Sequence, residues 1–335
     1  MKYSDEKMNR STKVLSLKDC RKCVDVSQII DIIEKTYGLS AEGKTIMPPK
    51  MIMNMDTQKA HNYLIAGPAC IPSLEAIGIK IITGYEQNPQ KYSLPYAITT
   101  YFLLEYETGF PVAIINGKNI TDERTGAMAA VSAKYMANSD SKVITIIGAG
   151  VQARSVARYL DYVFKLEEVR VIDINPQAAD QFKMEMQSVV KKNIIVYTDT
   201  KAAISDSDII VTVTSAKGKF VLDQWVKPGA FVESIGTYQE LDPLLVKNAD
   251  KIVVDNIKQA QYRGELANGF KDGSLMIDMI HAEIGEVIKK IKVGREGKKE
   301  RNIAVLTGTG DLDAAVAKHF FDKSSQIGIG TYIDL

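Results

Sequence analysis

The sequence predicts an α/β protein in which a doubly wound parallel sheet of Rossmann type is inserted into a second, mainly β domain. Two patterns support this class. Residues 143–254 alternate short β-branched runs with helical segments, as a parallel sheet requires. Residues 62–117 consist mainly of short strand-like runs separated by Gly, Pro and Asn, which is typical of a sheet domain.

Composition sets limits on function. The chain has 335 residues, of which 45% are hydrophobic and 25% charged, and its formal net charge is +1. That length suits two domains, and the balanced charge argues against a nucleic-acid or membrane partner. No apolar run is long enough to span a membrane, and no apolar segment follows the charged residues 1–10 as a secretory signal would. We therefore expect a cytoplasmic protein.

Three cysteines, Cys20, Cys23 and Cys70, are too few for a disulfide framework. Cys20 and Cys23 form a C-x-x-C, but no second pair of ligands stands at a comparable spacing, so no metal site is predicted. We interpret them as small apolar side chains near the start of an N-terminal helix.

The first part of the chain should begin with a strand at 13–17 and an amphipathic helix at 26–37 that ends at Gly38. Predicted strands then follow at 62–71, 78–85, 96–106 and 111–117, with a hairpin turn at 107–109. An Ala-rich helix over 120–137 has Thr121 as an incomplete capping signal at its start.

The second part should form the parallel sheet. Strands are predicted at 143–147, 169–172, 194–197, 209–213, 230–235, 252–254 and 303–306, and later helices at 275–288 and 311–323. The predicted domains are 125–307 for the Rossmann domain and 1–124 plus 308–335 for the other.

The residues after the first parallel strand form a G-x-G-x-x-A motif. Gly148 permits a tight turn, Gly150 allows a pyrophosphate to approach the backbone, and Ala153 lets the next helix pack close to its strand. The N-terminus of that helix offers N–H groups and a positive dipole to phosphate. The motif therefore predicts a dinucleotide site.

Asp173 follows the second strand, about 20 residues beyond the glycines, where a carboxylate can accept hydrogen bonds from the adenosine ribose. Ile174 and Asn175 come next, with no basic residue for a 2′-phosphate. The sequence favours NAD(H) over NADP(H).

Several separated motifs together resemble the ornithine cyclodeaminase and μ-crystallin family over nearly the whole chain. They are Met47-Pro48-Pro49-Lys50, Gly78-Ile79-Lys80, Thr121 with Arg124 and Thr125, Gly148 to Ala153, Thr212 to Ser215, Glu240 to Asp242, Gly264-Glu265, His281 to Val287, Gly294-Arg295, and Gly308 with Asp313.

The resemblance implies a substrate-binding and dimerisation domain split around the nucleotide domain, a homodimer, and hydride transfer between nicotinamide and the α-carbon of an amino or imino acid. Members of the family include cyclodeaminases, alanine dehydrogenases, ketimine and pyrroline-2-carboxylate reductases, and opine-type dehydrogenases. The expected partner is therefore a small amino, imino or 2-oxo acid.

The resemblance also implies residue roles. Lys50, Lys80 and Arg124 would hold the substrate carboxylate beside the nicotinamide, and Lys80 and Arg124 would be catalytic. The implied cofactor-binding residues are Arg124, Thr125, Gly148, Gly150, Val151, Gln152, Asp173, Asn175, Thr214, Ser215, Ser234, Ile235, Gly236 and Gly308.

One loop departs from the cyclodeaminase pattern. Cyclodeaminases carry an Asp in a longer loop after the strand at 230–235, whereas this chain has Gly236-Thr237-Tyr238-Gln239-Glu240. A carboxylate there assists the side-chain amine in cyclodeamination. Its absence favours a net redox reaction and leaves the proton donor open. Lys80 is the hypothesis, because an amine desolvated near other cations loses its proton more readily.

Two alternatives remain open at this level. The first is a cyclodeaminase that uses NAD catalytically and releases ammonia. The second is a non-catalytic nucleotide-dependent binding protein of the μ-crystallin type, against which the presence of Lys80 and Arg124 argues.

Overall fold

The computed structural model describes residues 10–57, 60–190, 192–236 and 238–335. The chain divides into two compact units. The first unit contains the described residues 10–25 together with Gly43–Glu123 and Gly310–Leu335. The second unit contains Val26–Glu42 and Arg124–Thr309. The predicted α/β class with a Rossmann-type parallel sheet is confirmed.

Strands and α-helices are each numbered in chain order. The strands are β1 Ser11–Leu15, β2 Met51–Asn54, β3 Asn62–Ile71, β4 Ala76–Tyr85, β5 Ala97–Leu104, β6 Pro111–Asn116, β7 Val143–Ile147, β8 Glu168–Ile172, β9 Asn193–Tyr197, β10 Ile209–Thr212, β11 Phe231–Ser234, β12 Lys251–Val254, β13 Ala282–Glu283, β14 Asn302–Val305 and β15 Thr331–Asp334. The α-helices are α1 Leu17–Lys22, α2 Val26–Ala41, α3 Gly117–Met136, α4 Val151–Val163, α5 Pro176–Val190, α6 Thr200–Ile204, α7 Pro243–Lys247, α8 Ile257–Ala260, α9 Ala267–Asp272, α10 Ile284–Ile288 and α11 Gly310–Gln326.

The first unit is built on a seven-stranded sheet in the order β15-β1-β6-β5-β4-β3-β2. Its neighbouring strands are antiparallel except β1 and β6, which are parallel. Helix α11 packs on β3, β4 and β5. Strands β2 and β15 are not predicted from the sequence, because all their residues are exposed and show no alternation of buried and exposed positions.

The second unit is built on an eight-stranded parallel sheet in the order β13-β12-β14-β11-β10-β7-β8-β9. From β7 the chain builds outward through β8 and β9 and then crosses to β10 on the other side of β7. Ligands of doubly wound sheets bind at such a reversal, beyond the carboxyl ends of the strands. The ends of β7 and β10 therefore mark the expected ligand site.

Helix α3 is buried along most of its length, and its small side chains allow close packing. A Cβ at Gly126 would lie 2.6 Å from the ring of Tyr159 on α4. The helix starts earlier than predicted, with the Asn116 side chain accepting a hydrogen bond from the N–H of Lys118. Thr121 therefore lies inside the helix and does not cap it, so that prediction was wrong.

Helix α2 continues through Gly38 to Ala41, so the predicted end at Gly38 was also wrong. It packs on α10, where a Cβ at Gly285 would lie 2.2 Å from the Tyr37 carbonyl oxygen. This packing places Val26–Glu42 in the second unit, whereas the predicted boundary assigns these residues to the first domain. Helical periodicity identifies the buried stripe of α2 but not its distant partner.

The predicted helix over 275–288 was wrong. The chain instead forms a 3₁₀ turn at Ile277–Met279, the short strand β13, and then α10. Val253 of β12 pairs in parallel with Ala282 of β13. This long-range pairing overrides the local helical pattern.

Candidate active site

The glycine turn lies between the ends of β7 and β10. Gly148 has φ of +100°, and a Cβ there would lie 2.8 Å from the carbonyl oxygen of Val213. Its N–H donates to the Ile172 carbonyl at 2.8 Å, which ties the turn to β8. Only glycine fits both the backbone angle and the space.

Gly150 differs from Gly148, because the structure itself does not exclude a side chain there. Its φ of −73° and ψ of −172° are open to any residue, and a Cβ would meet nothing within 4 Å. Among the described residues no side chain caps the first turn of α4. The space and the N–H groups at this helix start therefore fit a pyrophosphate.

The Asp173 carboxylate ends β8 beside the same turn. Its Oδ2 accepts the Ala149 N–H at 2.7 Å, and its Oδ1 accepts the Asn175 N–H at 2.8 Å. Each oxygen keeps capacity for a ribose hydroxyl, because a carboxylate offers about four lone-pair sites. Ile174 next to it is 97% exposed, a large apolar side chain available to an adenine ring.

Arg154 braces the turn and was missed by sequence reasoning. Its Nη1 donates to the carbonyls of Ala149 and Gly150 at 2.8 and 2.9 Å, and its Nε pairs with Glu185. On the sequence it is an ordinary arginine in the first turns of an amphipathic helix, so no pattern distinguished it.

Arg124 is buried within the second unit and lies against Gly308. A Cβ at Gly308 would stand 2.1 Å from the Arg124 Nη1, and Gly308 has φ of +76°. The Arg124 Nη1 also lies 3.4 Å from the sulfur of Met128. The structure therefore brings together two residues that the sequence assigned to the site from distant segments.

Two further residues, Asp255 and Gln259, hold the Gly308 turn. Asp255, which follows β12, accepts the N–H groups of Thr307 and Gly308 at 2.8 and 2.5 Å. The Gln259 side chain donates to the Gly308 carbonyl at 3.1 Å. Sequence reasoning missed both residues, because the groups they bind lie far away along the chain.

The remaining nucleotide-domain predictions fall at the ends of β10 and β11 or on neighbouring helices. Thr214 donates to Glu240, Ser215 is exposed, and the Ile235 N–H donates to the Thr212 carbonyl at 2.9 Å. Three of these residues are buried, namely Thr125 in α3, Ser234 and Gly236. On α4, Val151 is half exposed and Gln152 is partly buried. The Asn175 side chain caps α5 by accepting a hydrogen bond from the Gln177 N–H. Thr237 lies outside the described residues.

In the first unit, Lys80 forms a buried ion pair with Asp313. The Lys80 side chain on β4 is 5% exposed and that of Asp313 on α11 is 1% exposed. The carboxylate stabilises the ammonium form of Lys80. The sequence hypothesis for Lys80 rests on desolvation and neighbouring cations, and the charge of Asp313 acts in the opposite sense to both.

The side chain of Lys50, which precedes β2, packs on the sheet face that carries Lys80. Gly67 on β3 pairs directly with Lys80, and a Cβ at Gly67 would lie 3.4 Å from the Cγ of Lys50. On the other side Lys80 pairs with Tyr101 of β5. Directly opposed residues share one face of a sheet, so both lysines and Tyr101 lie on the face that Asp313 covers.

Tyr101 is fully buried, and sequence reasoning missed it. Its hydroxyl has no hydrogen-bond partner among the described residues. Burial, together with the negative charge of Asp313, raises the pKa of Tyr101 well above its ordinary value. Gly78 makes room for the ring, because a Cβ there would lie 2.6 Å from Tyr101 Cε1.

Cys20 and Cys23 are completely buried in the first unit. Burial raises the pKa of Cys20 to about 12, which keeps this thiol protonated and unreactive. The Cys23 carbonyl lies 3.2 Å from the His319 Nε2. These contacts agree with a packing role for the two side chains.

The fold and the glycine turn define the second unit as a Rossmann-type nucleotide-binding unit. The sequence model of the Ornithine cyclodeaminase/mu-crystallin family matches residues 10–327. The chain therefore belongs to the ornithine cyclodeaminase/μ-crystallin family, as the sequence motifs predicted.

Relatives in this family include an alanine dehydrogenase of Archaeoglobus fulgidus, 32% identical over 96% of this chain and 98% of that protein. A solved Δ1-pyrroline-2-carboxylate reductase of Thermococcus litoralis, in complex with NADH and L-proline, superposes with a TM-score of 0.91 at 30% identity and covers 96% of this chain and 100% of that one. An archaeal alanine dehydrogenase dimer with bound NAD superposes with a TM-score of 0.89 at 32% identity and covers 97% and 99%.

Within the described residues, no helix combines the length and the apolar character needed to cross a membrane.

Proposed function

We propose that this protein is an NAD(H)-dependent oxidoreductase that acts on the C–N bond at the α-carbon of an amino or imino acid. Its relatives carry out such reactions on alanine or on Δ1-pyrroline-2-carboxylate, and the related structures hold NADH or NAD. The open glycine turn and the carboxylate of Asp173 fit the pyrophosphate and ribose of that cofactor.

One observation supports a net redox reaction: both carboxylates in the segment after β11 are hydrogen-bonded to other groups of the protein. Glu240 is buried and accepts hydrogen bonds from Thr214, and the Asp242 side chain caps α7 by accepting the Leu244 N–H at 3.0 Å. Both carboxylates therefore have structural partners. This supports a reductase or dehydrogenase over a cyclodeaminase, which needs a carboxylate at the substrate amine.

We assign substrate binding to Lys50, Lys80 and Arg124, whose positive charges suit a substrate carboxylate. Lys80 and Arg124 are the proposed catalytic residues. The nicotinamide, when bound, supplies or accepts the hydride at the α-carbon. Asp313 keeps Lys80 positively charged and fixes its direction, so the lysine can hold an anionic substrate without a large change of geometry.

Reduction of an imine adds a hydride to carbon and a proton to nitrogen. Lys80 is the proposed source of that proton, and Asp313 would stabilise the ammonium that reforms when solvent returns a proton to the lysine. Tyr101 stays neutral and lies on the same sheet face, so it adds no competing charge beside the lysine.

Two further assignments follow from the family. We propose that the nucleotide-binding residues are those predicted from the sequence, with NAD(H) preferred because Asp173 would repel a 2′-phosphate. We also propose that the chain forms a homodimer, as the archaeal relative does, and that the sheet domain predicted over 1–124 and 308–335 forms the dimer contact and binds substrate.

The test is a spectrophotometric screen that follows NADH and NADPH against pyruvate with ammonia, other 2-oxo acids with amines, and cyclic imines such as Δ1-pyrroline-2-carboxylate. We expect NADH oxidation with at least one imine or 2-oxo acid and amine pair. Release of ammonia from ornithine or lysine with no net change in NADH absorbance would instead identify a cyclodeaminase. Tight NADH binding without turnover on the whole panel would identify a binding protein.

A further inference from the structure

Two buried glutamates lie behind the ends of β10 and β11. The Glu265 carboxylate accepts the N–H groups of Glu240 and Leu241 at 2.7 and 3.2 Å, and the Ser234 hydroxyl at 3.4 Å. The Oε1 of Glu240 in turn accepts both the N–H and the hydroxyl of Thr214. The two carboxylates therefore connect the segments that follow two adjacent strands.

We propose that Glu240 and Glu265 are positioning residues for the cofactor-binding edge of the sheet, that they share one proton, and that loss of this proton weakens NADH binding. The inference rests on the proposed placement of the cofactor at Thr214 and Ser234. It concerns cofactor affinity, so it does not depend on the identity of the substrate.

The hydrogen bonds indicate which carboxyl group holds the proton. Glu265 receives three donors, which favours its charged form. The Oε2 of Glu240 is buried and accepts no hydrogen bond of good geometry among the described residues, although the hydroxyl groups of Thr212 and Ser234 lie near this carboxyl group. A Cβ added to Gly236 would lie only 2.5 Å from this oxygen, so the Gly236 backbone lies close to the Glu240 carboxyl group. A buried carboxylate oxygen without a donor is unfavourable, and a proton on Glu240 Oε2 removes the cost of its charge.

The surrounding charges support the same conclusion. Within the described part of the chain, neither carboxylate forms an ion pair with a cation. Glu265 lines a cavity of about 820 Å³, and the ionisable side chains that line it too are Lys219, Lys247, Lys271 and Asp272. None of these side chains forms a hydrogen bond with Glu265 among the described residues, so they do not neutralise its carboxylate directly.

The direction of the pH effect follows from burial. Burial raises the pKa of Glu240, and burial together with the charge of Glu240 raises the pKa of Glu265 to about 7. The pair titrates as one coupled unit, so a proton is present below neutrality and is lost above it. The two charges then repel one another beneath segments that should contact an anionic dinucleotide, and NADH affinity should fall.

The experiment is calorimetric titration of the full-length protein with NADH from about pH 6 to about pH 9, in buffers of different ionisation enthalpy. We expect the affinity of the wild type to fall about tenfold over this range, with proton uptake on binding. In Glu240→Gln the side-chain oxygen can still accept hydrogen bonds from Thr214, and an uncharged NH2 group replaces the Oε2 oxygen. It should bind NADH with the wild-type low-pH affinity at every pH and without proton uptake.

Glu233→Gln is the matched control. Glu233 precedes Ser234 on β11, points to the opposite sheet face, and is fully buried, which raises its pKa well above the ordinary value. This variant should keep the wild-type pH profile. Glu240→Ala removes the hydrogen bonds to Thr214 and should bind NADH weakly at all pH values.

The wild-type titration is decisive without any variant. A pH-independent affinity with no proton uptake would overturn the inference and leave the proposed function intact. A Glu240→Gln variant with the wild-type pH profile would overturn it as well. Failure of the wild type to bind NADH at any pH would reject both the cofactor placement and the inference.

Discussion

The ammonium of Lys80 and the carboxylate of Asp313 form an ion pair that is almost entirely buried inside the sheet unit. Such a pair is unusual in a protein core, because removing two charges from water costs more than their attraction returns unless the geometry is good. The proposed role of Lys80 in holding the substrate carboxylate would account for a charged lysine at this position.

A double-mutant cycle separates the functional role of this pair from its structural role. We expect Lys80→Met and Asp313→Asn each to lose about 3 kcal/mol of unfolding free energy, because each leaves a buried partner uncompensated. The double variant should regain much of the stability but not the activity, with turnover at least about a hundredfold below wild type. Chemical denaturation and steady-state kinetics measure the two quantities. A Lys80→Met variant with near-normal turnover would remove Lys80 from the mechanism.

The two glycines of the turn should behave differently. Gly150→Ala meets no atom within 4 Å, so we expect an unchanged melting temperature but NADH affinity at least about tenfold lower, because the methyl group occupies the space proposed for pyrophosphate. Gly148→Ala should lower the stability itself, since φ is +100° and the Val213 carbonyl is too close. Thermal melting and NADH fluorescence titration distinguish the cases. Equal NADH binding by Gly150→Ala and wild type would contradict the phosphate assignment.

Asp173 should set the preference between the two nicotinamide cofactors. In Asp173→Ser we expect NADH affinity to fall about tenfold, because ribose hydrogen bonds are lost, while NADPH affinity stays level or rises. The serine hydroxyl can still accept one turn N–H, which limits damage to the fold. Dissociation constants for both cofactors measure the change. A parallel loss for NADH and NADPH would indicate that Asp173 only supports the turn.

The coupled pair of Glu240 and Glu265 also predicts a pH-dependent stability, because burial raises both pKa values, that of Glu265 from 4.5 to about 7. The folded state holds this proton more tightly than the unfolded state, so the stabilisation is complete below about pH 4.5 and is lost as the pH rises through about 7. Melting curves between about pH 5 and 8 should therefore show a smaller decline for Glu265→Gln than for wild type. Parallel curves for the two proteins would show that the pair does not lose its shared proton in this range.

Much of the second unit could be predicted from local sequence. Strand β7 is predicted with its exact bounds, because its continuous β-branched run suits a strand buried on both faces. Gly148 and Asp173 are predicted as site residues because a tight turn and a ribose contact require particular residues at a fixed spacing, and Lys80 and Arg124 are predicted from the family motifs. These requirements act over short stretches of chain, and so they are visible in the sequence.

The partners of those residues depend on long-range packing. Asp313 over Lys80, Asp255 at the Gly308 turn, and Glu265 beneath Glu240 all come from segments far away along the chain. Periodicity and turn chemistry carry no information about which distant element will cover a given face. The docking of helices and the pairing of strands decide which buried charges meet. The free-energy cost of an unpaired charge exists only where the folded chain has excluded water, so it depends on the tertiary structure and not on the local sequence.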